Sequence, residues 1–327
     1  MYSWVMTKNK KQTRSRSKGL YRIRNWSAYD QALVNRGSLT IWLSEDAITR
    51  WKANDPRQRG AQKQYSDFAI LTALTIKEVF HLTNRQAEGF LRSLFQLMGV
   101  KLPIPDHTTL SRRGKGLDVP LAKHKSGGAM HLVVDSTGLK IYGEGEWKMR
   151  KHGKSKRRTW RKLHLAVDVV SGEIQAGCLS TASLSDNQAL PDLLSQIEDP
   201  MDTFSGDGAY DKRSAYRVIR EHSPKCKIAI PPRKDARIWQ HGNCKAPPHP
   251  RDENLRYIRR HGRHAWKRDS NYHRRSLAET AMFRVKTIFD DRLSTRLLET
   301  QTTQAMIRCR ALNVMTHLGM PDSYRAD

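Results

Sequence analysis

Hydrophobic residues recur at helical spacing along residues 27–115 and indicate short helices joined by tight turns. Two stretches show this most clearly, with apolar residues every three or four positions, as on one face of an α-helix. These residues are Phe68, Leu71, Leu74 and Ile76 in the first stretch, and Phe90, Leu91, Leu94 and Leu97 in the second. Two prolines then break the chain, and Asp106 is placed to cap a third short helix. The pattern predicts an all-α region over residues 21–115.

The period changes at residue 131, where short aliphatic runs begin. Residues 131–136, 161–169, 172–180, 201–207 and 226–231 are typical of strands, and residues 186–198 and 212–222 of helices. Three opening strands followed by alternating helices and strands predict an α/β fold with a ribonuclease-H-like layered core over residues 131–327. Residues 231–271, rich in Pro, Arg, Lys and His, are interpreted as a mostly irregular basic segment, followed by helices over 272–289 and about 300–318.

The charge balance favours nucleic acid as a partner. The chain has 59 Lys and Arg against 32 Asp and Glu, a formal net charge of +27. A field of this sign attracts polyphosphates, whereas a solvated cationic surface alone seldom needs such an excess. Residues 1–20 are predicted to be a flexible basic arm, which either contacts phosphate or is a tail without a role. No run approaches the roughly 18 to 20 apolar residues of a membrane span, so we expect no membrane partner.

Cysteine usage favours a reduced compartment. The four cysteines lie far apart, with no Cys-x-x-Cys pair, whereas small secreted domains use closely spaced cysteines in disulfide frameworks. The first residues carry basic side chains without a following apolar run, so we expect no secretory signal. His241, Cys244, His249 and His261 fit no common zinc spacing. A cytoplasmic protein is the expectation.

The last predicted helix of the all-α region carries side chains suited to contact with DNA. They are Thr108, Thr109, Ser111, Arg112 and Arg113. Three short helices with tight turns, the last one exposing such residues, are typical of helix-turn-helix proteins, whose final helix enters the major groove. A plain helical bundle with a basic last helix is the alternative. The pattern predicts a helix-turn-helix-like DNA-binding region over residues 21–115, with Arg112 and Arg113 as contacts.

Two aspartates stand at the ends of predicted strands. Asp135 follows an apolar run and precedes Ser-Thr-Gly, and Asp207 lies inside Gly-Asp-Gly. Active sites of open α/β folds collect at the ends of strands, and the glycines let a backbone or a ligand come close to Asp207. Acids also end strands merely for solubility, so position alone leaves both interpretations open.

A third acid lies on a helical face without apolar residues. Tyr272, Arg275, Glu279 and Lys286 are separated by three, four and seven positions, which places them on one side of a helix. A face packed in the core would carry apolar residues there. A solvated ladder of salt bridges is the alternative to a functional face.

These residues carry a resemblance to a known family. The spacing Tyr272-x2-Arg275-x3-Glu279-x6-Lys286 matches the signature around the last acid of bacterial insertion-sequence transposases of the DDE type. Residues 133–147 and 205–213 are similar to the regions around the family's first two acids. The whole chain resembles the insertion-sequence-5 family, in its 903-like subgroup, and the catalytic resemblance covers about 131–290.

The resemblance implies an enzyme of DNA transposition that binds the ends of its own element and catalyses DNA cleavage and strand transfer. Asp135, Asp207 and Glu279 would be the catalytic acids and would hold two Mg²⁺ or Mn²⁺ ions, with Asp135 shared by both. Such ions prefer oxygen ligands, and a pair about 3.5 to 4 Å apart serves phosphodiester chemistry.

Further expectations follow from the resemblance for the partners. Tyr272, Arg275 and Lys286 would hold phosphate or position the DNA end. The partners would be double-stranded DNA, as terminal inverted repeats and target, and a further copy of the chain, since two DNA ends require at least a dimer. The setting would be the bacterial cytoplasm, in association with the nucleoid.

A basic stretch lies between the first two predicted strands. It combines Trp147 with Lys154, Lys156, Arg157 and Arg158. Cations grip the DNA backbone and aromatic rings stack on unpaired bases, so these five residues are predicted DNA contacts. A solvated loop with its tryptophans in the core is the alternative.

Two other functions remain compatible with the sequence. One is a DNA-binding regulator or transposase remnant without catalysis, against which the presence of all three acids argues. The other is a ribonuclease-H-like nuclease that only hydrolyses DNA, against which the DNA-binding region and the large basic surface argue.

Overall fold

Short helices dominate the N-terminal part of the chain. A computed structural model describes residues 20–54, 62–124, 128, 130–141, 160–240 and 247–326. The helices of this part are α1 (Trp26–Asn35), α2 (Leu39–Trp42), α3 (Glu45–Thr49), α4 (Asp67–Val79), α5 (Asn84–Leu97) and α6 (His107–Arg113). Thr83 and Gln86 form a reciprocal capping box on α5, and Asp106 accepts two backbone N–H bonds at the start of α6. Both helices therefore begin where their capping residues predict.

A mixed sheet forms the second part. Its elements are β2 (Met130–Ile141), β3 (Trp160–Asp168), β4 (Ile174–Thr181), α7 (Asp186–Leu194), β5 (Met201–Ser205), α8 (Arg213–His222) and β6 (Lys227–Ala229). The strand order is β4-β3-β2-β5-β6, with β2 to β4 antiparallel and β5 and β6 parallel to β2. Three antiparallel strands followed by helix-linked parallel strands are the arrangement predicted for a ribonuclease-H-like core. The mixed α/β class is confirmed.

Helices cover both faces of this sheet. Alternate residues of each strand point to opposite faces, so each strand contributes side chains to two cores. Leu132, Val134 and Phe204 pack with α7 and α8 on one face. Val133 and Leu139 pack on the other face with α4 and two later helices, α10 (Ser276–Phe289) and α11 (Leu298–Leu318). The second core is therefore shared between the N-terminal helices and the sheet.

A buried ionic cluster joins α4 to α11. Glu78 accepts hydrogen bonds from Lys77 Nζ and Arg308 Nε, each at 2.8 Å, and from Gln304 Nε2 at 3.0 and 3.1 Å. Glu78, Lys77 and Arg308 are all at least nine-tenths buried. Because an unpaired charge at this depth is very costly, the cluster fixes the helical region against the last helix. The boundaries predicted for the basic arm, the DNA-binding region and the catalytic domain stay predictions.

The N-terminal region is not all-α, contrary to the prediction. The strand β1 (Leu20–Ile23) pairs antiparallel with β8 (Ser323–Ala326) from the other end of the chain. Leu20 pairs with Ala326 and Ile23 with Ser323. The partner strand lies some three hundred residues away, so no local pattern in the sequence indicates this pairing.

The basic segment 231–271 is not mostly irregular, contrary to the prediction. It contains the 20-residue helix α9 (Pro250–Asp269), which is kinked at Gly262, where φ is +84°. Arg251 on this helix bonds to Asp211 Oδ1 at 2.7 Å, and Asp252 accepts the backbone N–H groups of Trp239 and Gln240. The Arg251 contact ties the segment to the turn before α8, and the Asp252 contacts join two parts of the segment itself.

The last long helix, α11, buries an unusual number of polar side chains. They include Gln301, Thr303, Gln304, Arg308 and Asn313. Buried polar groups of this kind need hydrogen-bond partners. Gln304 donates to Glu78 on α4, Asn313 donates to Ile174 on β4, and Arg308 donates to the carbonyl of Arg292 in the two-residue strand β7 (Arg292–Leu293). No helix within the described ranges is both long and apolar enough to span a membrane.

Candidate active site

Asp135 lies on strand β2, and Asp207 lies two residues past the end of the neighbouring strand β5. In the parallel pairing of β2 with β5, Val133 lies opposite Ser205. Asp135 follows Val133 by two residues and Asp207 follows Ser205 by two, so both acids lie just past the last paired position of β2 with β5. Neighbouring strands are about 4.8 Å apart. Asp135 does not end its strand as predicted, because β2 continues to Ile141. Along β2, it lies past the level at which the neighbouring strand β5 ends.

Arg275 connects Asp135 to Glu279. Its Nη1 donates to Asp135 Oδ2 at 2.7 Å, and its Nη2 donates to Glu279 Oε1. The other oxygen of Asp135 accepts the backbone N–H of Ser136 at 2.8 Å. The side chains of Asp135 and Arg275 are 18% and 22% exposed, while that of Glu279 is 54% exposed. The three residues form one chain of charges running from the sheet towards solvent.

The predicted helix over residues 272–289 consists of two parts. Tyr272–Arg275 form a 3-10 turn, and α10 begins at Ser276. Ala278, Met282 and Val285 on α10 are buried against the sheet, which leaves Glu279 at the edge of the helix facing Arg275. The ion pair four residues apart is the one that the helical spacing predicts.

Tyr272 lines the same site. Its ring lies 5.3 Å from that of Trp266, and the Arg275 guanidinium lies 5.9 Å from its centre. Burial raises the pKa of the Tyr272 hydroxyl, Arg275 acts in the opposite direction, and the charges of the three acids raise the pKa further. The ring is therefore held between α9 and the three acids, and its hydroxyl stays protonated.

The pKa of Asp135 reflects the charges of the two other acids. The pKa of Asp135 is raised, first by burial and also by the charges of Asp207 and Glu279, although Ser136 and Arg275 act in the opposite direction. Three carboxylates against one guanidinium leave a surplus of negative charge at this point of a strongly cationic protein. Such a surplus is what a divalent cation neutralises.

The donor set suits Mg²⁺ or Mn²⁺. Asp135, Asp207 and Glu279 offer only hard carboxylate oxygens, with no thiolate or imidazole among them. The guanidinium of Arg275 supplies positive charge between Asp135 and Glu279. Within the described part of the chain, these three acids are not among the groups whose ligand atoms all lie within 4.8 Å of one another. As the carboxylates stand around Arg275, they are spread more widely than the ligand atoms of a single ion.

The sequence interpretation missed a second row of residues behind Asp135. Ser136 points to the opposite face of β2, where its Oγ donates to Asp186 Oδ1 at 2.8 Å. Lys162 Nζ lies 3.3 Å from the same oxygen and the buried His164 lies 3.6 Å from it. Asp186 does not cap α7, since Ser185 occupies the capping position of that helix. Strand alternation at Ser136 is the signal in the sequence that indicates this second row.

Gly206 is required by packing beside Asp207. A Cβ atom there would lie 2.9 Å from Cδ2 of the buried Tyr210 ring, whereas a Cβ at Gly208 would meet nothing closer than 3.7 Å. We expect Gly206→Ala to destabilise the protein by about 1–3 kcal/mol through overpacking. Gly208→Ala is the matched control and should leave stability nearly unchanged. Urea unfolding measures both, and equal stabilities would contradict the account.

The predicted DNA contacts fall into different environments. Arg112 is exposed and lines a cleft of about 1320 Å³ between α6 and the N-terminal end of α11, together with Thr108, Ser111 and Lys115. Arg113 instead donates to Asp67 and to the carbonyl of Tyr65, which engage its guanidinium within the protein, and its role as a DNA contact stays a prediction. Lys286 lies two helical turns beyond Glu279, about 10 Å along α10, near Asp291. Trp147, Lys154, Lys156, Arg157 and Arg158 lie outside the described residues.

Comparisons with known proteins place the chain in a family. Two family models described as "Transposase DDE domain" match the chain, one over residues 34–144 and the other over residues 126–314. The second spans more than half of the chain and includes all three acids. A solved piggyBac transposase synaptic complex with hairpin DNA is similar at 11% identity, with a TM-score of 0.36, over 88% of this chain and 75% of that one. On the family match, the chain belongs to the DDE transposases.

Proposed function

We propose that the protein binds the ends of its own insertion sequence, an element of the insertion-sequence-5 family and its 903-like subgroup, and cuts and joins DNA there. The observation that carries the proposal is the pair of contacts by which Arg275 links Asp135 to Glu279, with the charge of Asp207 acting on Asp135, in a DDE transposase. The register of β2 with β5 and the start of α10 bring these acids together from three separate stretches of chain.

Asp135, Asp207 and Glu279 would hold two Mg²⁺ or Mn²⁺ ions, with Asp135 contributing to both. When bound, the ions activate the attacking oxygen and stabilise the leaving oxygen of the phosphodiester. Arg275 neutralises Asp135 and Glu279 while no ion is bound. When the acids hold the ions, its guanidinium would be free to contact phosphate. Tyr272 bounds the site on the α9 side and positions the DNA end, and Lys286 contacts the backbone farther along the helix.

One site serves both steps of the reaction. In cleavage, water attacks the phosphorus and the bond to the 3′-oxygen breaks, which frees a 3′-OH at the element's end. In joining, that 3′-oxygen attacks a phosphodiester of the target, so one phosphorus–oxygen bond forms as another breaks. The bond energy is conserved by this exchange, and no ATP is needed.

DNA recognition is proposed for the N-terminal helices, with the α6 cleft as the contact surface. Arg112 and Lys115 give this cleft positive charge, and Thr108 and Ser111 give it hydrogen-bonding groups. The partners are terminal inverted repeats and target DNA, and a second copy of the chain on the paired ends. We place the reaction in the bacterial cytoplasm at the nucleoid.

Arg112 and Arg113 form a matched pair for testing the cleft. Arg112→Ala should lower the slope of log affinity against log salt by about 0.9, because one phosphate contact is lost. Arg113→Ala should leave that slope unchanged and lower stability by about 1 kcal/mol, because its partner Asp67 is 64% exposed and screened. Filter binding over a salt series, with a melting curve for each variant, measures both. If Arg113→Ala lowers the salt slope and Arg112→Ala leaves it unchanged, the DNA interface lies elsewhere.

Metal-dependent nicking tests the proposed function. The DNA flanking the gene supplies the substrate, since matched inverted repeats there mark the element's ends. The protein should nick this DNA at the repeat ends in Mg²⁺ or Mn²⁺, and chelation should stop it. Sequence-specific binding without nicking would instead identify a regulator or a transposase remnant, and nicking without joining would identify a hydrolytic nuclease.

A further inference from the structure

Three side chains from distant parts of the chain meet outside the candidate active site. His124 precedes β2, Glu173 lies in the turn between β3 and β4, and His317 lies in the last turn of α11. His124 Nδ1 and His317 Nε2 lie 2.8 and 2.7 Å from the same atom, Glu173 Oε1. Over the residues that the structure describes, this is the group of three potential ligands whose donor atoms all lie within 4.8 Å of one another.

The carboxylate of Glu173 is fixed before any ligand arrives. Its second oxygen, Oε2, accepts the backbone N–H of His124 at 3.0 Å, which leaves Oε1 facing the two imidazoles. The Glu173 side chain is only 4% exposed. A ligand whose remaining atoms are already hydrogen-bonded loses little freedom when it binds an ion, so this contact supports a metal site.

The position of His317 is fixed by its own helix. Asn313, one turn earlier on α11, accepts the N–H of Ile174 and donates to its carbonyl, each at 2.8 Å. Residues four apart share one face of a helix, so His317 faces Glu173 for the same reason that Asn313 faces Ile174. The helix and the β3–β4 turn therefore form a rigid frame for two of the three ligands.

We propose that His124, Glu173 and His317 bind one transition-metal ion of the zinc class. Two imidazole nitrogens and one carboxylate oxygen, with a fourth position left for water, are a donor set of Zn²⁺. Zinc bonds of about 2.0–2.2 Å place tetrahedral ligand atoms about 3.3 Å apart, so the atoms seen here need to separate by only about half an ångström. Mg²⁺ prefers oxygen ligands, so this site differs in metal from the three acids.

The ion would join three segments that no covalent link connects. It would fasten the connection that follows the N-terminal helices to the β3–β4 turn and to the end of α11. The His124 side chain is 72% exposed, so the fourth ligand position would be open to water. Because the unfolded chain has no such preformed site, binding stabilises the folded state.

Zinc titration of the chelator-stripped full chain tests the site, with a melting curve at each metal concentration. We expect one Zn²⁺ per chain bound here and a melting temperature higher by at least about 2 °C in its presence. His124→Gln and His317→Gln should each weaken binding by more than about 10-fold. Co²⁺ serves as an optical probe, since a four-coordinate ion absorbs visible light and an ion on carboxylates and water absorbs far less.

Two controls separate this site from the candidate active site. His264→Gln changes an exposed histidine on α9 and should bind as the wild type does, and so should Asp135→Asn. Because His124 is largely exposed, His124→Gln should fold and melt normally without metal. The proposal is overturned if the wild type binds no zinc, if His124→Gln and His317→Gln bind it with undiminished affinity, or if only Asp135→Asn loses it.

Discussion

Asp135→Asn should reduce DNA cleavage by more than about 100-fold while the protein still folds and binds DNA. Loss of a residue that merely supports a metal ligand costs about 10–100-fold, so loss of a shared ligand should cost more. The amide keeps the shape of the side chain and still accepts the N–H of Ser136, but it loses the charge that opposes Arg275. Rates of nicking in Mg²⁺, with DNA binding measured beside them, check this.

Asp192→Asn is the matched control for Asp135. It removes one carboxylate from an exposed position of α7 and should leave cleavage unchanged. Asp207→Asn and Glu279→Gln should behave as Asp135→Asn does. Nicking at the wild-type rate by any of these three variants would remove that residue from the metal site.

Glu78→Ala should destabilise the protein by about 3–5 kcal/mol, the cost of leaving a buried charge without its partner. The substitution leaves Arg308 and Lys77 buried together, and Gln304 loses its acceptor. Urea unfolding measures the loss. Glu299→Ala removes an exposed carboxylate from the first turn of α11 and should change stability by less than about 0.5 kcal/mol.

The same cluster should make stability depend on pH. Burial alone would raise the pKa of Glu78, but Lys77 and Arg308 outweigh it, and the pKa of this carboxyl lies below its ordinary value of 4.5. A lowered pKa means that the stabilisation is complete above the pKa of the unfolded chain and is lost as pH falls through the lower native value. The stability difference between wild type and Glu78→Gln should therefore shrink in acid. A difference that stays constant down to the acid transition would contradict this assignment.

Each of the three acids of the candidate site carries a local signal in the sequence. Asp135 and Asp207 follow apolar strands, and Glu279 lies on a polar helical face at the spacing of Arg275. Their meeting could not be predicted from spacing, because it depends on the parallel register between β2 and β5 and on where α10 crosses the sheet. The double role of Arg275 follows from the 3-10 turn that precedes α10, which the helical pattern conceals.

Elements that depend on distant partners escaped prediction. The helix α9 has no apolar stripe, since its buried residues are Arg251, Asp252, Leu255 and Trp266. Its burial becomes favourable only through pairing with Asp211, which lies 40 residues earlier. The pairing of β1 with β8 and the meeting of His124, Glu173 and His317 likewise join residues far apart in sequence, where no periodic pattern exists.

Strand transfer is the most direct test of the proposed function. The full chain is mixed in Mg²⁺ with a DNA end that already carries a free 3′-OH at the terminal repeat and with a separate labelled target. The account predicts a joined product that contains both DNAs, forms without ATP and is absent with Asp135→Asn. Failure of the wild type to join ends that it binds and nicks, or equal joining by Asp135→Asn, would contradict it.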